Sequence, residues 1–263
     1  MTSKSLLTDL RVVVALGWRS IKQAFRRPQF LAPVIVFPSL LLAVNTGGAG
    51  RAVDLPAFPE VGGFLDFELA GAILQAVLLA GVSGGIALAL DIEIGFMDRL
   101  LAAPVARWTI VVGRLAGTAV LGFLAAVWFL AVGLVFGAEI VAGVGGAVVV
   151  IALTTLAAGA FGGFAAALAL KTGRASVVQG IFPLVFVVLF VSSAFFPRDL
   201  LLEPASAVAD WNPLSYIAEA VRDPVVSTLS AAELWKGLAA IGFVAVFGIA
   251  ASALAFRARL RAS

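Results

Sequence analysis

The sequence predicts an all-α membrane protein with six transmembrane helices and both termini in the cytoplasm. Of its 263 residues, 62% are hydrophobic and 13% are charged, and the mean hydropathy is +1.11. That composition leaves too little polar surface to cover a soluble globule. Long uncharged runs and an uneven distribution of basic residues provide the other two observations.

The transmembrane helices are predicted from apolar runs, since a helix needs about 20 apolar residues to cross the hydrocarbon. Five runs of this length contain no charged residue: 69–90, 115–138, 147–170, 177–196 and 237–256. A sixth run, 30–48, contains Pro33 and Pro38, which remove backbone donors, so we expect this helix to be kinked. Together the six runs occupy a single domain that covers the chain.

Basic residues support the count of six. With six spans, 14 of the 18 Lys and Arg residues fall on one side of the membrane, and 11 of the 15 Asp and Glu residues fall on the other. Without the span at 30–48, the Arg-rich N-terminus would lie outside. By the positive-inside rule, both termini are therefore predicted to be cytoplasmic.

The segment 9–27 has the pattern of a basic amphipathic helix. Its apolar face is predicted to contain Leu10, Val13, Val14, Gly17, Ile21 and Phe25, with Arg11, Arg19, Lys22 and Arg26 opposite. This pattern predicts an interfacial helix that lies on the cytoplasmic leaflet before the first span. A solvated basic tail is the alternative.

The residue types exclude several kinds of chemistry. The sequence has no Cys and no His, and no GxxxxGK[ST] phosphate-binding loop. The predicted spans hold only neutral polar side chains, each of which can simply bond a neighbouring helix. Gln75 and Gln179 are the most costly of these to leave unpaired, so they are the ones we expect to line a shared cavity. A transporter without an internal energy-coupling site must draw its energy from a partner.

The cytoplasmic connection 91–107 is where such a partner would dock. Residues 91–101 can form a short helix with acidic residues near its start, and Ala103-Pro104 would end it. Phe96, Leu100 and Leu101 give that helix an apolar face, which suits a groove on a soluble protein. An ordinary charged loop at the membrane surface fits the spacing equally well.

Two blocks of sequence resemble a known family. The run Glu93-Ile94-Gly95…Asp98-Arg99-Leu100-Leu101-Ala102-Ala103-Pro104…Arg107, followed by Gly113-Arg114, is similar to the signature of ABC-2 type permeases, the membrane subunits of bacterial ABC exporters. Ser193–Pro197, Asn212–Tyr216 and Glu219–Arg222 resemble a segment of the daunorubicin/doxorubicin-resistance type within that family. The resemblance extends from the N-terminal helix to the last span.

This resemblance implies partners for the chain. The family pairs the permease with a second permease, identical or related, and with two copies of a separate ATPase subunit that binds ATP and Mg. The helix 9–27 resembles the family's connecting helix, and 91–107 resembles its coupling helix. The implied ATPase-coupling residues are Glu93, Gly95, Asp98, Arg99, Leu100, Pro104 and Arg107. The implied location is the bacterial cytoplasmic membrane.

The resemblance also implies a re-entrant extracellular helical segment between Phe196 and the last span. Its forty residues are long enough for structure of their own. Candidate residues of the substrate pathway or outer gate are Gln75, Gln179, Phe195, Phe196, Asn212 and Tyr216. For Asn212 a simple turn is the alternative, and for Tyr216 an interfacial anchor.

The predicted function is outward transport of a hydrophobic or amphipathic drug-like molecule or lipid, by alternating access driven by ATP hydrolysis on the partner. The chain itself is then not an enzyme, and it is expected to have no catalytic residue, no metal and no nucleic-acid partner. A lipid-linked glycan exporter shares this fold and is an alternative. Its channel would be lined by stacked aromatic residues, whereas this chain has one tyrosine and mostly isolated phenylalanines. A membrane scaffold without a substrate is the alternative from another class.

Overall fold

The structure, a computed structural model, describes residues 3–26, 28–56, 58–102 and 106–262, and the regular structure in these ranges is helical. The α-helices are α1 Ser3–Arg26, α2 Pro28–Ala49, α3 Phe64–Glu93, α4 Phe96–Ala102, α5 Arg107–Val135, α6 Gly143–Thr172, α7 Ala175–Gln179, α8 Phe182–Phe190, α9 Ala205–Trp211, α10 Pro213–Val226 and α11 Ala231–Ala262. Two short 3₁₀ helices cover Gly50–Asp54 and Arg198–Leu200.

Within these described ranges, five helices are long and apolar enough to cross a membrane. They are Gln29–Asp54, Phe64–Glu93, Trp108–Val135, Gly143–Thr172 and Ala231–Arg261. Each overlaps a predicted span and extends beyond at least one of its ends. The fold is therefore that of an all-α, multi-pass membrane protein.

The predicted span 177–196 is not one continuous helix. It is divided into α7 and α8, which are separated at Gly180-Ile181, and the chain turns after Phe190. Pro183 lies in the first turn of α8, where its missing N–H costs nothing. Residues 175–190 are apolar but too short to count among the long helices. A sixth crossing at this position stays a prediction.

The first predicted span is one unbroken helix. Pro33 and Pro38 both lie inside α2, which runs from residue 28 to residue 49. Each proline removes one backbone N–H donor, but the helix continues through it. Such prolines are tolerated in membrane helices.

Helix α3 occupies the centre of the bundle and contacts α2, α5 and α6. Most of its residues are buried and apolar on every side, as expected of a central helix, and its buried charged residues lie near its two ends. Small residues let the helices approach closely. A Cβ atom on Gly85 would lie 2.6 Å from the Cβ of Ala165, and one on Gly163 would lie 2.7 Å from the backbone carbon of Gly248. These contacts join α3 to α6 and α6 to α11.

The N-terminal helix is amphipathic, as predicted, and it packs on the bundle by one edge of the predicted apolar face, where Gly17 is buried. Leu16 and Ala24 are buried, while Leu10, Val14 and Phe25 are exposed. A Cβ atom on Gly113 of α5 would lie 2.8 Å from the Cβ of Leu16, so α1 packs directly on α5. The exposed apolar side chains of α1 are compatible with contact to lipid, and its interfacial position on the membrane stays a prediction.

The long connection before α11 has structure of its own. The side chain of Asn212 caps α10 by accepting a hydrogen bond from the backbone N–H of Leu214 at 3.0 Å. The backbone N–H groups of Val141 and Ala142 donate to the carbonyls of Val225 and Pro224, which fixes the end of α10 to the α5–α6 connection.

Candidate functional site

Asp91, in the last turn of α3, lies at the centre of a buried ion-pair cluster. Arg19 of α1 donates to both of its carboxylate oxygens, at 2.6 and 3.0 Å, and Arg114 of α5 also donates to it. Asp91 is 1% exposed and Arg114 is 6% exposed. The Arg19 guanidinium also lies 3.7 Å from the ring centre of Phe96, the first residue of α4. We call Arg19, Asp91, Arg114 and Phe96 the Asp91 cluster.

This cluster corrects the predicted helix over 91–101. Asp91 remains in α3, because two arginines compensate its charge. The helix ends at Glu93, and Gly95 turns the chain with a φ of 68°, which a residue with a side chain rarely adopts. The short helix that follows, α4, therefore begins at Phe96 and not at Asp91.

The predicted coupling residues lie around this turn. Glu93, Asp98 and Arg99 are exposed, and Leu100 is half-buried. Glu93 accepts a hydrogen bond at 2.7 Å from the backbone N–H of Ala175, the first residue of α7. Pro104 lies outside the described residues, and of Arg107 only its place at the start of α5 is described.

A second polar cluster lies at the other end of α3 and centres on Arg222 of α10. Its guanidinium donates to the backbone carbonyls of Phe67, Ser193 and Ala194 at 3.1, 3.1 and 2.6 Å. It also lies 3.7 Å from the ring centre of Phe67. Arg222 thus connects α10 to α3 and to the turn after α8.

Charged side chains surround Arg222. Arg198 donates to Glu219 at 2.6 Å and lies over the ring of Tyr216, while Ser193 donates to Glu219 at 2.7 Å. Burial by itself lowers the pKa of Arg198, but the hydrogen bond and charge of Glu219 outweigh it and hold that pKa above its ordinary value. The groups line an open groove of about 550 Å³ that also reaches Lys236.

The structure does not bring all the predicted pathway residues together. Gln75 is fully buried in α3, and neither of its amide atoms has a hydrogen-bond partner among the described residues. Gln179 is exposed on α7. Phe195 is buried at 4% exposure, close to Gly71 and against the ring of Phe190, whereas Phe196 is 51% exposed.

Asn212 and Tyr216 both make local contacts. Besides capping α10, Asn212 donates to the carbonyls of Val188 and Val191 at 2.8 and 3.2 Å, and so fixes α10 to the end of α8. The Tyr216 hydroxyl donates to the carbonyl of Asp210 at 2.7 Å. These bonds give both residues a structural role. A role in the pathway stays a prediction.

Sequence reasoning missed the charges inside the helices. Asn45 of α2 donates at 2.7 Å to Glu68 of α3, which is 1% exposed. Glu68, Asp91 and Arg114 all lie within long helices, each one residue outside a predicted span, because α3 and α5 extend beyond the uncharged runs 69–90 and 115–138. One signal was present in the sequence, since Glu68 and Gln75 are seven residues apart and share a face of α3.

The comparisons with known proteins agree with this architecture. The family described as ABC-2 type transporter matches residues 11–225, from α1 through most of α10. No curated protein matches the chain. The matched region includes the Asp91 cluster, α4 and the Arg222 cluster, and it covers well over half of the sequence. The chain belongs to the ABC-2 type transporter family.

Proposed function

We propose that this protein is the membrane-spanning permease subunit of an ABC exporter of the daunorubicin/doxorubicin-resistance type, in a bacterial cytoplasmic membrane. The family match over residues 11–225 supports the assignment as a permease subunit, and the resemblance of Ser193–Pro197, Asn212–Tyr216 and Glu219–Arg222 supports the finer type. In it, residues 175–190 contribute the sixth crossing, both termini are cytoplasmic, and residues 197–230 form a re-entrant segment. A second permease and two ATPase subunits complete the transporter.

Two observations support an energy source on a separate subunit. The sequence contains no phosphate-binding loop of the GxxxxGK[ST] type, and ABC-2 membrane domains generally work with ATPase subunits. The predicted span 69–90 contains no charged residue, and the buried carboxylates of Glu68 and Asp91 lie at its two ends.

The Asp91 cluster supports a route for coupling. The exposed residues Asp98 and Arg99 of α4 would contact the ATPase, and Phe96 at the start of α4 lies against Arg19. Through Asp91, a displacement of α4 would reach α1, α3 and α5 together. Closure of the ATPase dimer would then move these helices as a unit and alternate the access of the pathway.

An apolar groove supports a hydrophobic or amphipathic substrate. It has a volume of about 410 Å³ and lies between α3, α6 and α8; its lining includes Leu78, Val82, Phe161, Phe164, Leu184 and Val188. Pockets that bind drug-sized molecules have comparable volumes and similarly apolar linings. A drug-like molecule or a lipid fits this lining better than a glycan, for which stacked aromatics would be needed.

Reconstitution tests this proposal. The chain and its ATPase partner are purified together and placed in liposomes, and the ATP-dependent movement of a fluorescent anthracycline and of a fluorescent phospholipid is measured. We expect movement of at least one probe that stops when a non-hydrolysable ATP analogue replaces ATP. A complex whose ATPase responds to neither probe, and which moves neither, would favour a scaffold.

A further inference from the structure

A small polar cavity lies where α1, α2, α3 and α5 meet. Its volume is about 20 Å³, and it is lined by side chains from all four helices, including Gln23, Phe30, Ser83, Arg114 and Leu121. It adjoins the Asp91 cluster, because Arg114 belongs to both. The lining is unusual for an apolar bundle, since it includes polar residues from α1, α3 and α5.

Two lining residues each have a buried polar atom without a partner among the described residues. These atoms are Nε of Arg114 and Oε1 of Gln23. The first is a hydrogen-bond donor and the second is an acceptor. Arg114 is only 6% exposed, and its Nη2 donates to Asp91. A buried polar group left without a hydrogen bond is unfavourable, so a ligand that satisfies both atoms would be favoured.

The volume and the chemistry select the same ligand. A cavity needs roughly 10–15 Å³ to hold one water molecule, together with two to four polar partners. Water donates and accepts, so one molecule can accept from Arg114 and donate to Gln23. A halide ion can accept from Arg114, but it cannot donate to the Gln23 oxygen and would be repelled by it.

We propose that this cavity is a binding site for one internal water molecule, which bridges Arg114 of α5 and Gln23 of α1. The water adds a second polar connection between these helices beside the ion pairs of Asp91. It also supplies a partner for Nε of Arg114, so the guanidinium is held in the orientation that pairs Nη2 with Asp91. The attachment of α1 to the bundle then depends on Gln23 as well as on Arg19.

Radiolytic footprinting of the purified transporter in nanodiscs tests this site, because X-ray pulses generate hydroxyl radicals from bound water and oxidise the side chains beside it. Phe30 lines the cavity at 4% exposure, and Phe129 is buried at 0% elsewhere in the bundle. We expect Phe30 to be oxidised faster than Phe129. After rapid dilution into ¹⁸O-water, the oxygen added to Phe30 should remain largely ¹⁶O, as a slowly exchanging water requires.

Two variants show whether the oxidation of Phe30 comes from the bound water or from solvent that enters between the helices. Gln23→Leu removes the acceptor and should slow the oxidation of Phe30, whereas Gln29→Leu, on an exposed glutamine of α2, should leave it unchanged. Equal oxidation of Phe30 and Phe129 in the unmodified protein would overturn the proposal, and so would immediate ¹⁸O incorporation. Oxidation of Phe30 that falls when chloride replaces gluconate would assign the site to an anion instead.

Discussion

Replacing Asp91 by Asn removes the only carboxylate of the Asp91 cluster and leaves two arginines without a counterion among its members. Arg114 is 6% exposed, and breaking a buried ion pair on one side costs about 3–5 kcal/mol. The side chain of Arg19 is 35% exposed, so losing the Arg19–Asp91 ion pair adds only about 0–1 kcal/mol to the cost. The amide oxygen still accepts one hydrogen bond, which returns about 1 kcal/mol.

The net cost of Asp91→Asn is therefore about 2–5 kcal/mol, or roughly a 30- to 4,000-fold change in the unfolding equilibrium. The free energy of unfolding of the purified chain is measured by titration with SDS in mixed micelles. Asp98→Asn is the matched control, since Asp98 is exposed on α4 and its replacement should change that free energy by less than about 0.5 kcal/mol.

Two further variants make the reasoning refutable. Arg19→Gln leaves Asp91 paired with Arg114, so it should cost less than Asp91→Asn. The double variant Asp91→Asn/Arg114→Gln removes the unpaired buried charge, so it should be more stable than the sum of the single changes predicts. An Asp91→Asn chain as stable as the unmodified one would refute the cluster, as would additive single and double changes.

Three other predictions concern coupling and packing. Glu93→Ala should lower ATP-driven export several-fold without reducing the amount of chain in the membrane, and unchanged export would remove Glu93 from the coupling route. Arg222→Leu leaves three buried carbonyls without their donor and should cost about 2–4 kcal/mol in the SDS titration; no loss of stability would contradict the cluster. Gly163→Ala forces α6 away from Gly248 and should cost about 1–3 kcal/mol, whereas Gly145→Ala, in open space on the same helix, should cost nothing; equal effects would contradict the close crossing.

The sequence predicted the long helices well because their apolar runs are unbroken, and it placed their ends poorly for an equally physical reason. The uncharged runs place Asp91 and Arg114 in the cytoplasmic connection between two spans, since a lone charge is costly in a membrane helix. These two residues pair with each other although they lie 23 residues apart in the chain, and Arg19, which also pairs with Asp91, lies 72 residues from it. Local sequence patterns, such as helical periodicity, cannot predict ion pairs between residues so far apart in the chain.

The break in the predicted span 177–196 had a visible signal. Gly180 and Pro183 stand within that run, and proline favours the first turn of a new helix over the interior of an old one. At 30–48 the same reasoning fails, because α2 continues through both Pro33 and Pro38. Prolines thus mark a helix start at one site and are tolerated at another, and the surrounding packing decides between them.

Site-specific crosslinking tests the central claim, coupling of this permease to a separate ATPase through α4. A photoreactive amino acid is placed at Arg99, which is exposed on α4, or at Trp211, which is 90% exposed on α9, and cells are irradiated before mass spectrometry. We predict that position 99 crosslinks to a subunit with a GxxxxGK[ST] phosphate-binding loop and that position 211 does not. Capture of that subunit from position 211, or from neither position, would contradict the account.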